Sequence, residues 1–321
     1  MRRREFIAGL GSAAAWPLAG GAQQRAVPVI GVLAGGSTAP NRLSASFYQA
    51  LKEAGYVEGQ NVAIEYRLGP ANVNRLSELA TEPVQQQVAV IITLSDGAAL
   101  AAKRATSTIP IVFYNIGSDP VKLGLVASIN QPGGNVTGAT FDNPVLVAKR
   151  LDLLCQLVPT AITVAQMVRR RTNLSFEEQN DSLAATASAL GRQLIVVECP
   201  RDDELGHAFA TIVERGASAV IVGPLIGRKV VPFAAQYKIP AAYSGRSFAL
   251  RGGLMSYSRD PADGIRIVAS LVGQILHGVP PANLPVRRSS KFNFVINLKT
   301  AKELDLDVPS HLLALTDAVI E

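Results

Sequence analysis

From Val27 to about Tyr243 the chain repeats one rhythm: a short apolar run, a small polar loop, then apolar residues at helical spacing. That alternation leaves few folds open. Short apolar runs with no in–out alternation read as strands buried on both faces, and such strands are joined in parallel through helical crossovers. Val29–Leu33, Val88–Leu94 and Ile111–Tyr114 are of this kind, whereas Val62, Ile64 and Tyr66 alternate as in an edge strand. Between them Leu43, Phe47, Ala50, Leu51 and Ala54 recur at helical spacing up to Gly55. A second helix is expected over Val73–Gln87, and an Ala-rich helix runs to Ser107. The pattern predicts a doubly wound parallel α/β sheet. Right-handed crossovers bring the loops after its first, third and fourth strands to one edge.

The rhythm restarts after Pro144. Helices over Val145–Leu157, Ser175–Leu190, Glu204–Arg215 and about Arg228–Tyr237 alternate with strands Ile162–Val168, Gln193–Glu198, Ala219–Val222 and Ile239–Tyr243. This is a second α/β lobe of similar construction, and 321 residues suffice for two such cores. The tail reads as a strand over Gly253–Tyr257 and a long helix capped by Asp260-Pro261 that runs to His277. An extended Pro280–Arg288, a strand Phe292–Leu298, a short helix Thr300–Leu304 and a last helix Ser310–Ile320 complete it. The simplest division gives residues 27–143 and about 256–285 to an N-terminal lobe. Residues 144–255 and about 286–321 then form a C-terminal lobe and hinge return.

The N-terminus is of another kind. Arg3-Arg4-x-Phe6-Ile7, a modest apolar stretch Ala8–Ala19 and small residues at Gly20-Gly21-Ala22 have the three parts of a twin-arginine export signal in order. Residues 1–22 are therefore expected to be removed and the mature chain to be periplasmic. That apolar stretch is too short to span a bilayer, so no stable membrane insertion of the mature chain is expected.

Several function classes fall away. The net charge is +6, of which three arginines and one glutamate in residues 1–22 supply +2; the basic residues left are scattered. No concentrated basic face with a recognisable motif argues for nucleic acid. Cys155 and Cys199 are too few for a metal site or a disulfide scaffold and read as buried thiols, with one disulfide as the alternative. His207, His277 and His311 stand beside no nucleophile or carboxylate at motif spacing. There is no G-x-S-x-G elbow, Gly35-Gly36-Ser37 lacks phosphate-loop spacing, and no cofactor motif is present. The residues make no case for an enzyme, a cofactor or a metal.

What remains is a set of loops suited to holding a small ligand between two lobes. Ile109–Gly138 is the richest: its strand empties into Asn115-Ile116-Gly117-Ser118-Asp119-Pro120, which is expected to start a helix with Ser118 or Asp119 as N-cap. Polar loops at the carboxyl ends of parallel strands hold ligands in open α/β sheets. The first lobe thus offers Ser37, Thr38, Ser95, Asp96, Asn115, Ser118, Asp119 and Thr140. The second offers Asn173, Pro224, Tyr243, Ser244 and Arg246, with Ser256 and Tyr257 near the hinge. Such a pocket suits a zwitterion: helix N-termini accept a carboxylate, Asp119 pairs with an ammonium, and Tyr114 and Tyr243 flank an apolar or aromatic side chain. For each residue the plain alternative is a cap or a core position.

Four runs carry a resemblance: AGYVEGQNVAIEYR, IPIVFYNIGSDPVKLGLVASINQPGGNVTG, GGLMSYSRDPADG and KFNFVINLKTAKELDLDVP. From about Pro28 onward the chain resembles the ABC transporter substrate-binding proteins, the family that includes tryptophan- and tyrosine-type binding proteins. The resemblance implies a type I periplasmic-binding-protein fold, three hinge crossings and ligand capture by hinge closure. It implies no catalytic residues, and it makes an ABC permease of the inner membrane the partner. By position it puts ligand loops at Gly36, Ser37, Ser95, Asn115 and Asp119 and in the second lobe. In place of the family's Asn-Pro-x-Asn-like loop this chain has Arg169-Arg170-Arg171-Thr172-Asn173, which faces either an anionic ligand or solvent. The expected function is delivery of a small organic solute, such as an amino acid, to an importer; the alternative is a binding module that feeds an extracytoplasmic sensor.

Overall fold

The computed structural model describes residues 27–35, 43–70, 72–114, 116–141, 143–169, 174–223 and 226–321. The first lobe runs β1 (Val29–Gly35), α1 (Ala45–Glu53), β2 (Ala63–Gly69), α2 (Val73–Gln85), β3 (Val90–Thr93), α3 (Asp96–Ala105), β4 (Ile111–Phe113) and β5 (Val136–Thr140). The second runs α4 (Asn143–Leu157), β6 (Thr163–Val168), α5 (Leu174–Ala189), β7 (Gln193–Glu198), α6 (Leu205–Glu214), β8 (Ala219–Val222), α7 (Val230–Gln236), β9 (Ala241–Tyr243), α8 (Arg246–Ala249) and β10 (Met255–Arg259). The tail adds α9 (Pro261–Leu276), β11 (Arg287–Arg288), β12 (Phe292–Asn297), α10 (Leu298–Glu303), α11 (Ser310–Ala314) and β13 (Ala318–Ile320).

These strands make two sheets, ordered β11-β5-β4-β3-β1-β2 and β13-β12-β10-β9-β8-β6-β7. All pairings are parallel except β10 with β12. In each lobe the second strand lies outside the first and the third lies on its other side, so the order reverses between β1 and β3 and between β6 and β8. Ligands of open α/β sheets bind outside the carboxyl ends of the strands at that reversal.

Continuous apolar strands are explained by the layers. Ile30, Val32, Val90, Ile92 and Val112 point to a core shared with α1 and α9. The alternate residues Leu33, Ile91, Ile111 and Phe113 point to a core shared with α2 and α3. In the second lobe Ala219 and Ile221 face α4 and α5, while Val220 and Val222 face α6 and α7. Cys155 and Cys199 are free, buried and in different cores of this lobe.

Three expectations are corrected. Pro120 opens no helix: Leu123 and Leu125 close single turns on Asp119 and Pro120, and Gly124 then takes a left-handed φ of 67°. The sheet return near 256 falls later, because Ser256 pairs with both Tyr243 and Val295 inside the second sheet. The chain recrosses at Arg259–Asp260, and β11 pairs with β5 of the first sheet before a last crossing at Ser289–Lys291. Finally, Ser310–Ile320 is not one helix. After α11 the chain turns into β13, which completes the edge left open by β12, with the Phe294 and Asp317 amides each donating to the other residue. The tail beyond Lys291 therefore builds the second lobe.

Candidate functional site

The loops at the reversal in the first sheet are held by their own side chains. Ser95 caps α3, its Oγ accepting the Ala98 amide at 3.3 Å. Asp96 reaches to the next loop: Oδ1 accepts the Gly117 amide at 2.7 Å and Oδ2 accepts the Ser118 hydroxyl at 2.8 Å. Ser118 is buried by this contact, whereas Asp119 is exposed and accepts the Val121 and Lys122 amides at 2.7 and 3.3 Å. Asp96 is a brace between two edge loops, which its sequence position did not show.

Beside these loops the three crossings form a floor. Tyr114 directly follows β4; its hydroxyl donates to the Pro261 carbonyl at 3.1 Å, and its ring meets Phe141 edge-on at 5.7 Å. The Arg259 guanidinium lies 3.6 Å above the Phe141 ring centroid, a cation–π contact between two crossings. Burial raises the Tyr114 pKa, with Arg259 opposing and Asp260 adding to it; burial lowers that of Arg259. Gly264 makes the close packing feasible, since a Cβ there would sit 2.8 Å from both the Tyr114 and Phe141 rings. The third crossing is tied in by Asp260 N–H to the Lys291 carbonyl at 2.8 Å and by the Ser289 hydroxyl to Asp263 at 2.7 Å. Thr140, buried at the end of β5, accepts the Ser289 amide at 3.3 Å. Phe141, Arg259 and Asp263 escaped the sequence reading; a glycine in the first turn of an otherwise strong helix was the available signal.

In the second lobe Tyr243 is 1% exposed, stacked on Phe248 at 5.1 Å, and its hydroxyl finds no partner among the described residues. Ser256, its neighbour in register, is also fully buried with an unpartnered Oγ. Arg246 is exposed at the start of α8. Arg169 is engaged by Asp202 and by the Cys199 carbonyl. Gly36, Ser37, Thr38, Asn115, Asn173 and Pro224 lie outside the described residues. The two edges meet: Lys122, just after the β4 loop, pairs with Glu178 in the first turns of α5. That contact joins the segment that follows β4 in the first lobe to the helix that follows β6 in the second.

The sequence model of the family described as ABC transporter substrate binding protein matches residues 27–320. The chain belongs to that family. As one of these substrate binding proteins it is a solute-binding component and not an enzyme. A curated relative, the tyrosine-binding protein of Clostridioides difficile (strain R20291), is 26% identical over 268 residues, covering 81% of this chain and 75% of the relative. Among solved structures, a conserved domain protein from Vibrio cholerae aligns with a TM-score of 0.79 at 23% identity, over 92% of this chain and 100% of that one. The ABC domain in complex with L-Trp from Streptococcus pneumonia aligns with a TM-score of 0.77 at 24% identity, with the same coverage. A glucose-galactose binding protein from Geobacillus stearothermophilus shares the architecture at a TM-score of 0.61. The two-lobed type I periplasmic-binding-protein fold expected from the sequence is the fold observed. Among the described residues of this substrate binding protein no helix is long and apolar enough to cross a membrane, and no cluster of His, Cys, Asp or Glu is placed to hold a metal.

Proposed function

We propose that this substrate binding protein captures a small organic solute, an amino acid in the first instance, between its lobes and delivers it to an ABC permease of the inner membrane for import. The observation that carries the reading is the joining of the two lobes at Lys122–Glu178, together with an aromatic floor of Tyr114 and Phe141. Asp119 suits the ammonium of an amino acid, and Tyr114 suits an aromatic side chain. Relatives named for tyrosine and for an L-Trp complex support an aromatic amino acid. Ser95, Asp96, Ser118, Asp119, Thr140 and Arg246 belong to this pocket in our reading, together with Gly36, Ser37, Asn115, Asn173 and Pro224; Tyr243 and Ser256, expected beside the ligand from the sequence, are instead fully buried positions of the second sheet. The Arg3-Arg4 leader directs the chain to the periplasm, and replacing both arginines by lysine is expected to remove it from the periplasmic fraction.

The test is a thermal-shift screen of residues 23–321 against L-tyrosine, L-tryptophan, the other amino acids, aromatic acids, ureas and sugars. A ligand at ~100 times its dissociation constant adds about 2.7 kcal/mol of stability. A shift with aromatic amino acids supports the reading; a shift only with anionic solutes moves the ligand class; no shift with any solute overturns it.

A further inference from the structure

Lys122 and Glu178 do more than mark where the lobes meet. Their Nζ and Oε1 atoms stand 2.5 Å apart, and each side chain projects from a segment fixed to its own lobe. On the Lys122 side Asp119 ties down the turn, Lys103 donates to the Gly124 and Leu125 carbonyls, and Asp96 holds Gly117 and Ser118. On the Glu178 side Gln166 of β6 donates to Asn180 at 2.7 Å and Ser182 donates to the Pro144 carbonyl at 3.0 Å. Leu183 and Ala187 of the same helix are in the core. Two charges on rigid mounts keep this distance only while the lobes are together. The other ion pairs between described residues, such as Arg67–Glu82, Lys149–Asp152 and Arg169–Asp202, stay inside one lobe.

We propose that Lys122–Glu178 is an electrostatic latch that raises the closed population of the ligand-free protein and so sets the apparent affinity for the solute. The inference rests on capture by lobe closure. Hinge equilibria lie close enough to balance that a small bias is visible: apparent affinity scales with the fraction of competent conformer. An exposed pair of this kind shifts such a ratio by roughly two- to five-fold and is screened by salt. The alternative arrangement, open lobes, leaves both charges in water at no cost, so the latch releases readily.

The experiment compares wild type, K122E, E178K and the swapped double variant K122E/E178K by small-angle X-ray scattering without ligand. Circular dichroism confirms that each is folded. Each single reversal juxtaposes like charges and is expected to enlarge the radius of gyration, and the swap to return it to the wild-type value. Raising sodium chloride from about 20 mM to about 500 mM should expand wild type and the swap but not the single variants. This salt titration needs no variant to fold. Identical scattering from all four proteins, or a wild type fully open at low salt, overturns the latch. Titration with L-tyrosine and L-tryptophan then reads the coupling: dissociation constants roughly two- to five-fold weaker in the single variants and restored in the swap. If neither amino acid binds wild type, the ligand assignment fails while scattering still decides the latch.

Discussion

The Tyr243 hydroxyl is buried on the α6–α8 side of the second sheet with no hydrogen-bond partner among the described residues. Its ring is held between Phe248 and Gly253, where a Cβ would approach to 2.6 Å. A buried hydroxyl left unpaired costs about 1–3 kcal/mol. Tyr243→Phe keeps the ring and removes that cost, so we expect stability at pH 7 to rise by about 1 kcal/mol, seen as a higher melting temperature. Burial also raises the Tyr243 pKa. Above pH ~10 the unfolded chain loses this proton while the folded chain keeps it, so the stability present below that pH falls as pH rises further. Melting temperatures measured from pH 8 upward should decline more gently in Tyr243→Phe than in wild type. A variant less stable at neutral pH, or equally steep in alkali, would show that the hydroxyl is satisfied. The sequence marked Tyr243 because it ends a strand before a polar loop. Which face its ring takes depends on Phe248 and Gly253, and no spacing along the chain reports that.

Element boundaries were legible where one local cause dominates. Asp260-Pro261 announces α9 because a carboxylate cap and a proline at the first helical position leave little else for the chain to do, and α9 begins there with Asp260 accepting the Ala262 amide at 2.9 Å. Where causes compete the local reading failed. Asp119-Pro120 carries the same two signals, but Gly124 and the Lys103 contacts end the segment after single turns. Residues 318–320 have helical spacing, yet an open sheet edge claims them. Asp260 has a second task, since its amide joins two hinge crossings through Lys291. Asp260→Ala is expected to lower stability by about 0.5–2 kcal/mol in urea unfolding, with Asp260→Asn recovering most of it. If alanine and asparagine are equally destabilised, charge beside Tyr114 rather than capping is the role of this residue.

At the scale of the molecule, neither lobe is a continuous stretch of chain, and this has an energetic consequence. Five of the six strands of the first sheet are in place by Thr140, but β11 comes later and one face of the sheet is covered by α9, whose Ile265, Val268, Leu271, Val272 and Ile275 fill the core with Phe47 and Leu51. Gly273 lets the helix come so close to α1 that a Cβ would sit 2.5 Å from that of Ala54. A repeated strand–helix rhythm made both sheets readable, because each strand needs only its own sequence to be apolar. The return of α9 was readable only in part, since nothing local states which lobe a helix covers; that is decided by which uncovered face remains. Without α9 the first lobe exposes a row of large apolar side chains, each worth about 1.5–3 kcal/mol when buried, against a total stability of only about 5–15 kcal/mol. A fragment of residues 27–141 should therefore fail to fold. The same fragment joined through a short Gly/Ser linker to residues 260–288 regains α9 and β11 and should unfold cooperatively. Amide dispersion in a proton–nitrogen correlation spectrum distinguishes the two. A well-dispersed spectrum from residues 27–141 alone would mean that the first lobe is autonomous and that α9 serves the hinge, not the core.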